Sequence, residues 1–294
     1  MINILALSGG GIRGVFTTTI LERIVKEFPA LIDKAALIAG TSTGGIVALG
    51  LAEGFAPATL TGLYRDNGQT IFTRRHWGSG VIDSDYDSTA LASVLQRYFG
   101  ERRLYSLNKC VLIPSFKLRD TDGQTVAWAP KFYHNITDDP EGNDGDQFVV
   151  DVALETSAAP VYFPSHLGHI DGGMAANNPS MSALCQVLHS WKTPLDQIRL
   201  LSIGTGFSPQ FIEGDVNWGL TKWAKPLVDI FMAGSEGTVD YEVNELLGTN
   251  YERVNKILAQ PIGLDDYTKI PDLIAEGNNI DLTGTVAWLN ANWK

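Results

Sequence analysis

The chain has 294 residues, enough for one large domain or two small ones with a sizeable core. Hydrophobic residues make up 44%, the composition of an ordinary soluble globular protein. The 33 acidic residues against 22 basic ones leave a net charge of −11, which excludes a grip on nucleic acid through a general basic field and argues against electrostatic adsorption to anionic lipid.

In chain order, Ile2–Leu7 is a short continuous apolar run, as a buried parallel strand requires. Val15–Phe28 follows a helical period, with Ile20, Leu21, Ile24, Val25 and Phe28 on one face. Ala35–Ala39 reads as a second buried strand, and Gly44–Glu53 as a small, apolar helix packed on the sheet. Strand, helix, strand, helix is the pattern of an α/β fold with a parallel sheet. Pro57 opens a helix over Ala58–Arg65, and Ser88 is placed to cap one through Phe99. Between them, Asn67–Tyr86 has weak periodicity and reads as an excursion or lid. Lys109–Phe116 and Thr125–Trp128 are strand candidates flanking a turn at Asp120-Thr121-Asp122-Gly123. Thr137–Gln147 is an acidic surface loop without calcium-loop spacing. Beyond it come a helix at Val149–Thr156, a strand at His166–Ile170, a helix at Pro179–Trp191 and a strand at Arg199–Ile203. Past Phe207 the signals weaken to helices at Trp218–Met232, Val239–Leu247 and Leu282–Trp293 and a strand at Tyr251–Leu258. With no internal repeat and no low-complexity linker, one domain over residues 1–294 is the simpler organisation.

Cys110 and Cys185 both lie in apolar contexts and read as buried small hydrophobes in a reducing compartment, with neither a disulfide framework nor metal-ligand spacing. There is no basic segment followed by an apolar leader, and no run of about 18 apolar residues that would span a membrane. A cytoplasmic location is expected, and the Asn135-Ile136-Thr137 glycosylation acceptor is then a chance match.

Two glycine motifs follow the first two strands. Gly9, Gly11 and Gly14 have the spacing G-x-G-x-x-G, the fingerprint of a dinucleotide-binding loop when it follows a strand. Gly40, Ser42 and Gly44 make G-x-S-x-G between a strand and a helix, the setting of a nucleophile elbow. In such an elbow the glycines permit a turn tight enough to expose the hydroxyl, and the helix N-terminus sets N–H groups beside it. A plain turn with capping residues is the bland alternative. An oxidoreductase reading needs an acid about 20 residues on, at the end of the second strand. Asp33 is 19 positions after Gly14 but precedes that strand.

An activated serine needs a base. His76, His134, His166, His169 and His189 all lack a setting that marks a general base, and His189 falls on a helix face. Asp171-Gly172-Gly173 ends a predicted strand. By default that is a turn, but in a parallel sheet it gathers at the carboxyl ends of the strands, with Ser42. A carboxylate of reference pKa about 3.9 is a weak base, so the site has to desolvate Asp171 and raise its pKa.

In order, Gly9-Gly10-Gly11-Ile12-Arg13-Gly14, Gly40-Thr41-Ser42-Thr43-Gly44 and Asp171-Gly172-Gly173 resemble the patatin-like phospholipase family. Glu155–Pro164, Asn177-Asn178-Pro179 and Ser202–Gly206 extend the resemblance over residues 1–206, while 207–294 carry no recognised family motif. The resemblance implies a three-layer α/β/α sandwich with a mainly parallel central sheet. It implies a Ser42–Asp171 dyad without histidine, metal or cofactor, cleaving fatty-acyl esters of phospholipids. It assigns the oxyanion hole to the N–H groups of Gly10 and Gly11, with Gly9 as a further candidate and Arg13 fixing the loop or its charge. It also admits activation by a cyclic nucleotide in anti-phage defence. Ser8 departs from the family, many of whose members have Asp there, and its hydroxyl stands to replace a bracing contact. The substrate implies peripheral membrane contact. Phe72, Trp77 and Val81 beside Arg74 and Arg75 could dip into an interface, whereas for Trp218, Trp223, Leu227, Ile230 and Phe231 ordinary core packing is expected.

Overall fold

The computed structural model describes residues 1–74, 83–119, 128–208, 212, 214 and 216–294, with the backbone alone for 220, 221 and 225. The elements run β1 (Ile2–Leu7), α1 (Gly14–Glu27), α2 (Leu31–Lys34), β2 (Leu37–Gly40), α3 (Thr43–Glu53), α4 (Pro57–Ile71) and α5 (Ser88–Phe99). They continue with β3 (Cys110–Lys117), β4 (Ala129–His134), α6 (Val149–Thr156), β5 (His169–Asp171), α7 (Gly173–Ala176), α8 (Ser180–Ser190) and β6 (Ile198–Ile203). Last come α9 (Leu220–Leu247), β7 (Tyr251–Val254), α10 (Ile270–Asn279) and α11 (Thr283–Asn292).

Among the described residues the strands form one sheet, ordered β4-β3-β2-β1-β6-β7, with β5 also on β3. The pairs β1–β2, β1–β6, β2–β3 and β6–β7 are parallel, and only β4 and β5 run antiparallel to β3. Alternating strand residues supply two cores. Leu5, Leu7, Ile38, Val111, Ile113 and Ile203 join Phe16, Ile20, Val47 and Leu273 on one side. Ile4, Ala6, Leu37, Ala39 and Leu112 join Leu184, Val187, Val243 and Leu247 on the other. The result is the expected three-layer α/β/α sandwich. A strand buried on both faces has no polar side to show, which is why these strands read as unbroken apolar runs.

Several expectations need correction. Asp87, not Ser88, caps α5, its carboxylate accepting the Thr89 N–H at 2.7 Å. The strand after β3 lies at Ala129–His134; residues 125–127 and the turn at 120–123 fall outside the described residues. The helices expected at 218–232 and 239–247 are one helix, α9, which starts at Leu220 and has Pro226 inside it. Gly234 and Gly237 blur the apolar period there, but both face open space, and packed Val228, Met232 and Val243 hold the turns around them. Helix α10 is an element the sequence reading lacks, although Pro271 stands near its start and Ile270, Leu273 and Ile274 fall on one face, a stripe that Gly277 interrupts. A side chain at Gly277 would meet Thr19 at 2.9 Å, so the helices touch nearly backbone to backbone. Cys185 is exposed and Cys110 half-buried. Of the lid candidate, residues 67–71 continue α4, while Arg75, Trp77 and Val81 lie outside the described residues. Phe72 turns inward, its ring 5.4 Å from Tyr86 and 5.8 Å from Phe163.

The C-terminal part ties back to the N-terminal half through Trp293, fully buried, whose indole N–H donates to the Leu31 carbonyl at 3.0 Å. Trp293→Ala removes both the ring and this bond. It is expected to lower unfolding free energy in urea by about 3–5 kcal/mol.

Candidate active site

One long strand places the two candidate chemical groups together. Strand β2 pairs with Cys110–Leu112 of β3 and ends at Gly40. The rest of that β3 edge is taken by β5, which sets Asp171 opposite Ser115. Asp171 therefore stands directly beyond the end of β2, where the chain turns through Ser42 into α3. The backbone of Asp171 is clamped there: its N–H donates to Ala158 and that of Gly172 to Thr156, each at 3.0 Å.

Ser42 has φ 55° and ψ −123°, a conformation L-residues rarely adopt and one that costs of order 1–3 kcal/mol. Its surroundings hold it there. A side chain on Gly40 would strike the Gly44 carbonyl at 2.1 Å, and one on Gly44 would strike the Leu7 carbonyl at 2.3 Å. Both glycines are thus dictated by close backbone approach, as a nucleophile elbow requires. The Ser42 N–H donates to Thr156 Oγ1 at 2.9 Å, and that hydroxyl donates on to the Pro114 carbonyl at 2.5 Å. Thr156 was not singled out from sequence, although it lies in the family-like stretch Glu155–Pro164.

Ser42 Oγ donates to Asp171 Oδ2 at 2.6 Å, and the Gly173 N–H donates to Oδ1 at 2.7 Å. Asp171 is wholly buried. Desolvation pushes its carboxyl up to about 7, against the opposing pull of the Ser42 and Gly173 hydrogen bonds. Gly172 and Gly173 make this fit possible: a side chain on Gly172 would strike the Pro114 carbonyl at 2.1 Å, and one on Gly173 would meet Met232 at 2.7 Å.

The glycine loop after β1 is pinned from one side. Thr205 Oγ1 donates to the Gly9 carbonyl at 3.0 Å, and the Arg13 N–H to the Gly10 carbonyl at 3.1 Å. Across a trans peptide the N–H points opposite its C=O. The N–H groups of Gly10 and Gly11 therefore face the other way, and among the described residues neither has an acceptor. Both residues line the same cavity as Ser42 and Asp171. Gly9 differs, since its N–H is spent on the Asn177 carbonyl at 3.0 Å. Gly11 has φ +58°, and a side chain there would meet the Leu264 carbonyl at 2.2 Å. Gly14, at the start of α1, leaves room for Thr43 Oγ1, 2.2 Å from where a side chain would sit. The Arg13 side chain lines an adjoining groove instead of the Ser42 cavity, and its Nε reaches back to the Gly10 carbonyl at 3.4 Å. Burial lowers the affinity of its guanidinium for its proton, opposed by the charges of Asp229 and Glu236.

The cavity is otherwise apolar, walled by Ile46, Leu63, Ile71, Phe72, Leu91 and Phe163. No described histidine lines it. His166 pairs with Asp151 at 2.9 Å and His169 lies 3.5 Å from Glu155.

A second network braces the glycine loop from parts of the chain without motifs. Arg253 on β7 donates to Ser8 Oγ at 3.1 Å and Ser202 Oγ at 2.6 Å, and pairs with Glu236 of α9. Glu236 also accepts from Asn177 Nδ2 at 2.9 Å, the residue whose carbonyl holds Gly9. Ser8 thus does make a bracing contact, while the carboxylate facing the arginine comes from α9. No sequence signal marks Glu236 or Arg253, because only the fold brings them to Ser8.

The chain belongs to the patatin-like phospholipase family, whose sequence model matches residues 5–184. It is similar to a cGAMP-activated phospholipase of Pseudomonas aeruginosa, 32% identical over 86% of this chain and 78% of that protein. The cGAMP-activated phospholipase of Vibrio cholerae is also 32% identical, over 80% of this chain and 74% of its own. Protein teg of Priestia megaterium is 27% identical over 99% of this chain and 98% of its own. This membership excludes the oxidoreductase reading, and Asp33 accordingly lies in α2, at the wrong end of β2 for a ribose contact.

Glu236→Gln removes the charge that Arg253 faces and loosens Asn177. Ester-hydrolysis kinetics should show kcat reduced about tenfold or more with KM little changed. Ser8→Asp in that background presents a carboxylate where Arg253 already reaches, and should recover most of the loss.

Proposed function

We propose that the chain is a serine lipid acyl hydrolase that cleaves fatty-acyl esters of phospholipids through a Ser42–Asp171 dyad, without a metal. The observation carrying this reading is the 2.6 Å hydrogen bond from Ser42 Oγ to a wholly buried Asp171 at a strained elbow. Ser42 Oγ attacks the ester carbonyl and its proton passes to Asp171 Oδ2. The N–H groups of Gly10 and Gly11 receive the oxyanion, each such donor typically contributing about 3–4 kcal/mol. Gly9 and Arg13 brace that loop and are not donors to the oxyanion. Asp171 returns the proton to the leaving alcohol, and water then cleaves the acyl-enzyme by the same route. The apolar cavity walls suit an acyl chain. The lipid substrate calls for peripheral contact with a membrane, here from the cytoplasmic side; among the described residues no helix is long and apolar enough to cross one.

The raised pKa of Asp171 fits its assigned task, because a base near 7 accepts a proton more readily than one near 4. A base works deprotonated, so activity is present above this pKa and lost as pH falls through it. Hydrolysis of a soluble ester should rise with pH through about 7 and level off above it. Ser42→Ala should fold normally and hydrolyse nothing above background; unchanged turnover in that variant sinks the proposal.

Asp171→Asn should be equally inactive, with a stability change of definite sign. A carboxyl whose folded pKa is raised contributes most below its unfolded pKa and becomes a liability as pH rises through the folded value. At pH 8 the neutral amide is expected to raise Tm by roughly 2–4 °C.

A cyclic-nucleotide-activated effector, as in anti-phage defence, is a regulated form of the same reading. It is favoured by the relatives in Pseudomonas and Vibrio that are themselves cGAMP-activated. Phospholipid hydrolysis assayed with and without cGAMP tests it: a silent enzyme that the nucleotide switches on supports activation, and full activity without it counts against.

A further inference from the structure

Helix α9 crosses from one layer of the sandwich to the site. Val243 and Leu247 of its C-terminal half pack in the core shared with α8. Val228 and Met232 of its N-terminal half join the core on the opposite side of the sheet. Met232 lies against Gly173, beside Asp171, and forms part of the wall of the Ser42 cavity. This half of the helix therefore covers the site.

Its outward face is apolar as well. Leu227 is 55% exposed, Ile230 47% and Phe231 50%, and Phe207, which follows β6, is 49% exposed. Leu227 and Phe231 are four positions apart on one stripe, and Ile230 stands beside them. Ile230 and Phe207 line a groove that Met232 shares with the Ser42 cavity. Trp218 and Trp223 pack ring to ring, with centroids 5.2 Å apart, at the start of the same segment. The core packing expected from sequence for this segment does not hold for Leu227, Ile230 and Phe231; the core residues here are Val228 and Met232. A helix apolar on both its inner and its outer face is ordinarily enclosed by protein or lipid.

We propose that the outward face of α9 is the surface by which the enzyme docks on lipid, with Leu227, Ile230 and Phe231 entering the acyl boundary of a bilayer. The inference rests on the lipid-hydrolase reading. It commits to lipid as the occupant because this face adjoins, through Met232, the apolar cavity that would receive an acyl chain. With a net charge of −11, attachment has to come from apolar insertion instead of attraction to anionic headgroups. Docking should therefore change little with salt and need no anionic lipid.

The test compares wild type with Leu227→Ser/Ile230→Ser/Phe231→Ser. The control is Tyr241→Ser, at a residue 68% exposed further along α9. Co-sedimentation with phosphatidylcholine vesicles, hydrolysis of those vesicles and hydrolysis of a monomeric short-chain ester are measured side by side. The triple variant should bind vesicles at least about tenfold more weakly and lose vesicle hydrolysis in proportion, with short-chain turnover and the control unchanged. Undiminished vesicle binding in the triple variant overturns the proposal. So does a wild-type dimer that the substitutions dissociate while vesicle binding persists, since a second copy then covers this face. Should wild type hydrolyse neither substrate with or without cGAMP, the lipase reading fails, and co-sedimentation still decides whether this face binds lipid.

Discussion

The hydrogen bond between Ser42 and Asp171 joins two groups that each need the other and are each expensive to hold. A serine at φ 55° strains the backbone, and a carboxylate without water strains its own ionisation. Much of the local sequence answers to these two costs. Gly40 and Gly44 allow the elbow its close backbone contacts, Thr156 takes the Ser42 N–H, and Gly172 and Gly173 let the aspartate approach through a gap no side chain would fit. Such sites are supported by their surroundings at a cost to stability.

The sheet makes this junction possible by giving one edge of β3 to two partners. If β2 ran the full length of β3, the position now held by Asp171 would belong to the strand that leads into Ser42. By ending early, β2 leaves room for a short antiparallel strand arriving from much later in the chain. The glycine loop completes the geometry from the third side, with its carbonyls held by Thr205 and Arg13 so that two N–H groups turn towards the cavity.

How much of this the sequence reveals depends on how local the cause is. Strand β1 and helix α6 have the expected bounds because an unbroken apolar run and a compact periodic stretch carry their own limits. The elbow and Asp171-Gly172-Gly173 are legible because tight turns need particular residues at fixed spacing. Helix α9 is legible only as two pieces, since Gly234 and Gly237 argue locally against the continuity that tertiary packing sustains. Helix α10 follows a short apolar stripe of Ile270, Leu273 and Ile274 that Gly277 interrupts where the helix meets α1. Glu236, Arg253 and Met232 lie still further from reach. Nothing near them in the chain suggests a site, and they meet Ser8, Asn177 and Gly173 only once β7 and α9 are in place. Exposure is equally illegible: Leu227, Ile230 and Phe231 have the composition of core residues, and only the completed fold leaves them outside.

The distances along the chain carry a consequence for biosynthesis. Ser42 and Asp171 are 129 positions apart, and Arg253 reaches back across 245 positions to Ser8. A ribosome-bound chain that has released its first half holds Ser42 but not Asp171, and one released to position 200 still lacks the arginine that reaches Ser8. The candidate site is therefore complete only once synthesis has passed Arg253. A product that stops short of Asp171 carries an elbow whose hydroxyl has no carboxylate to meet.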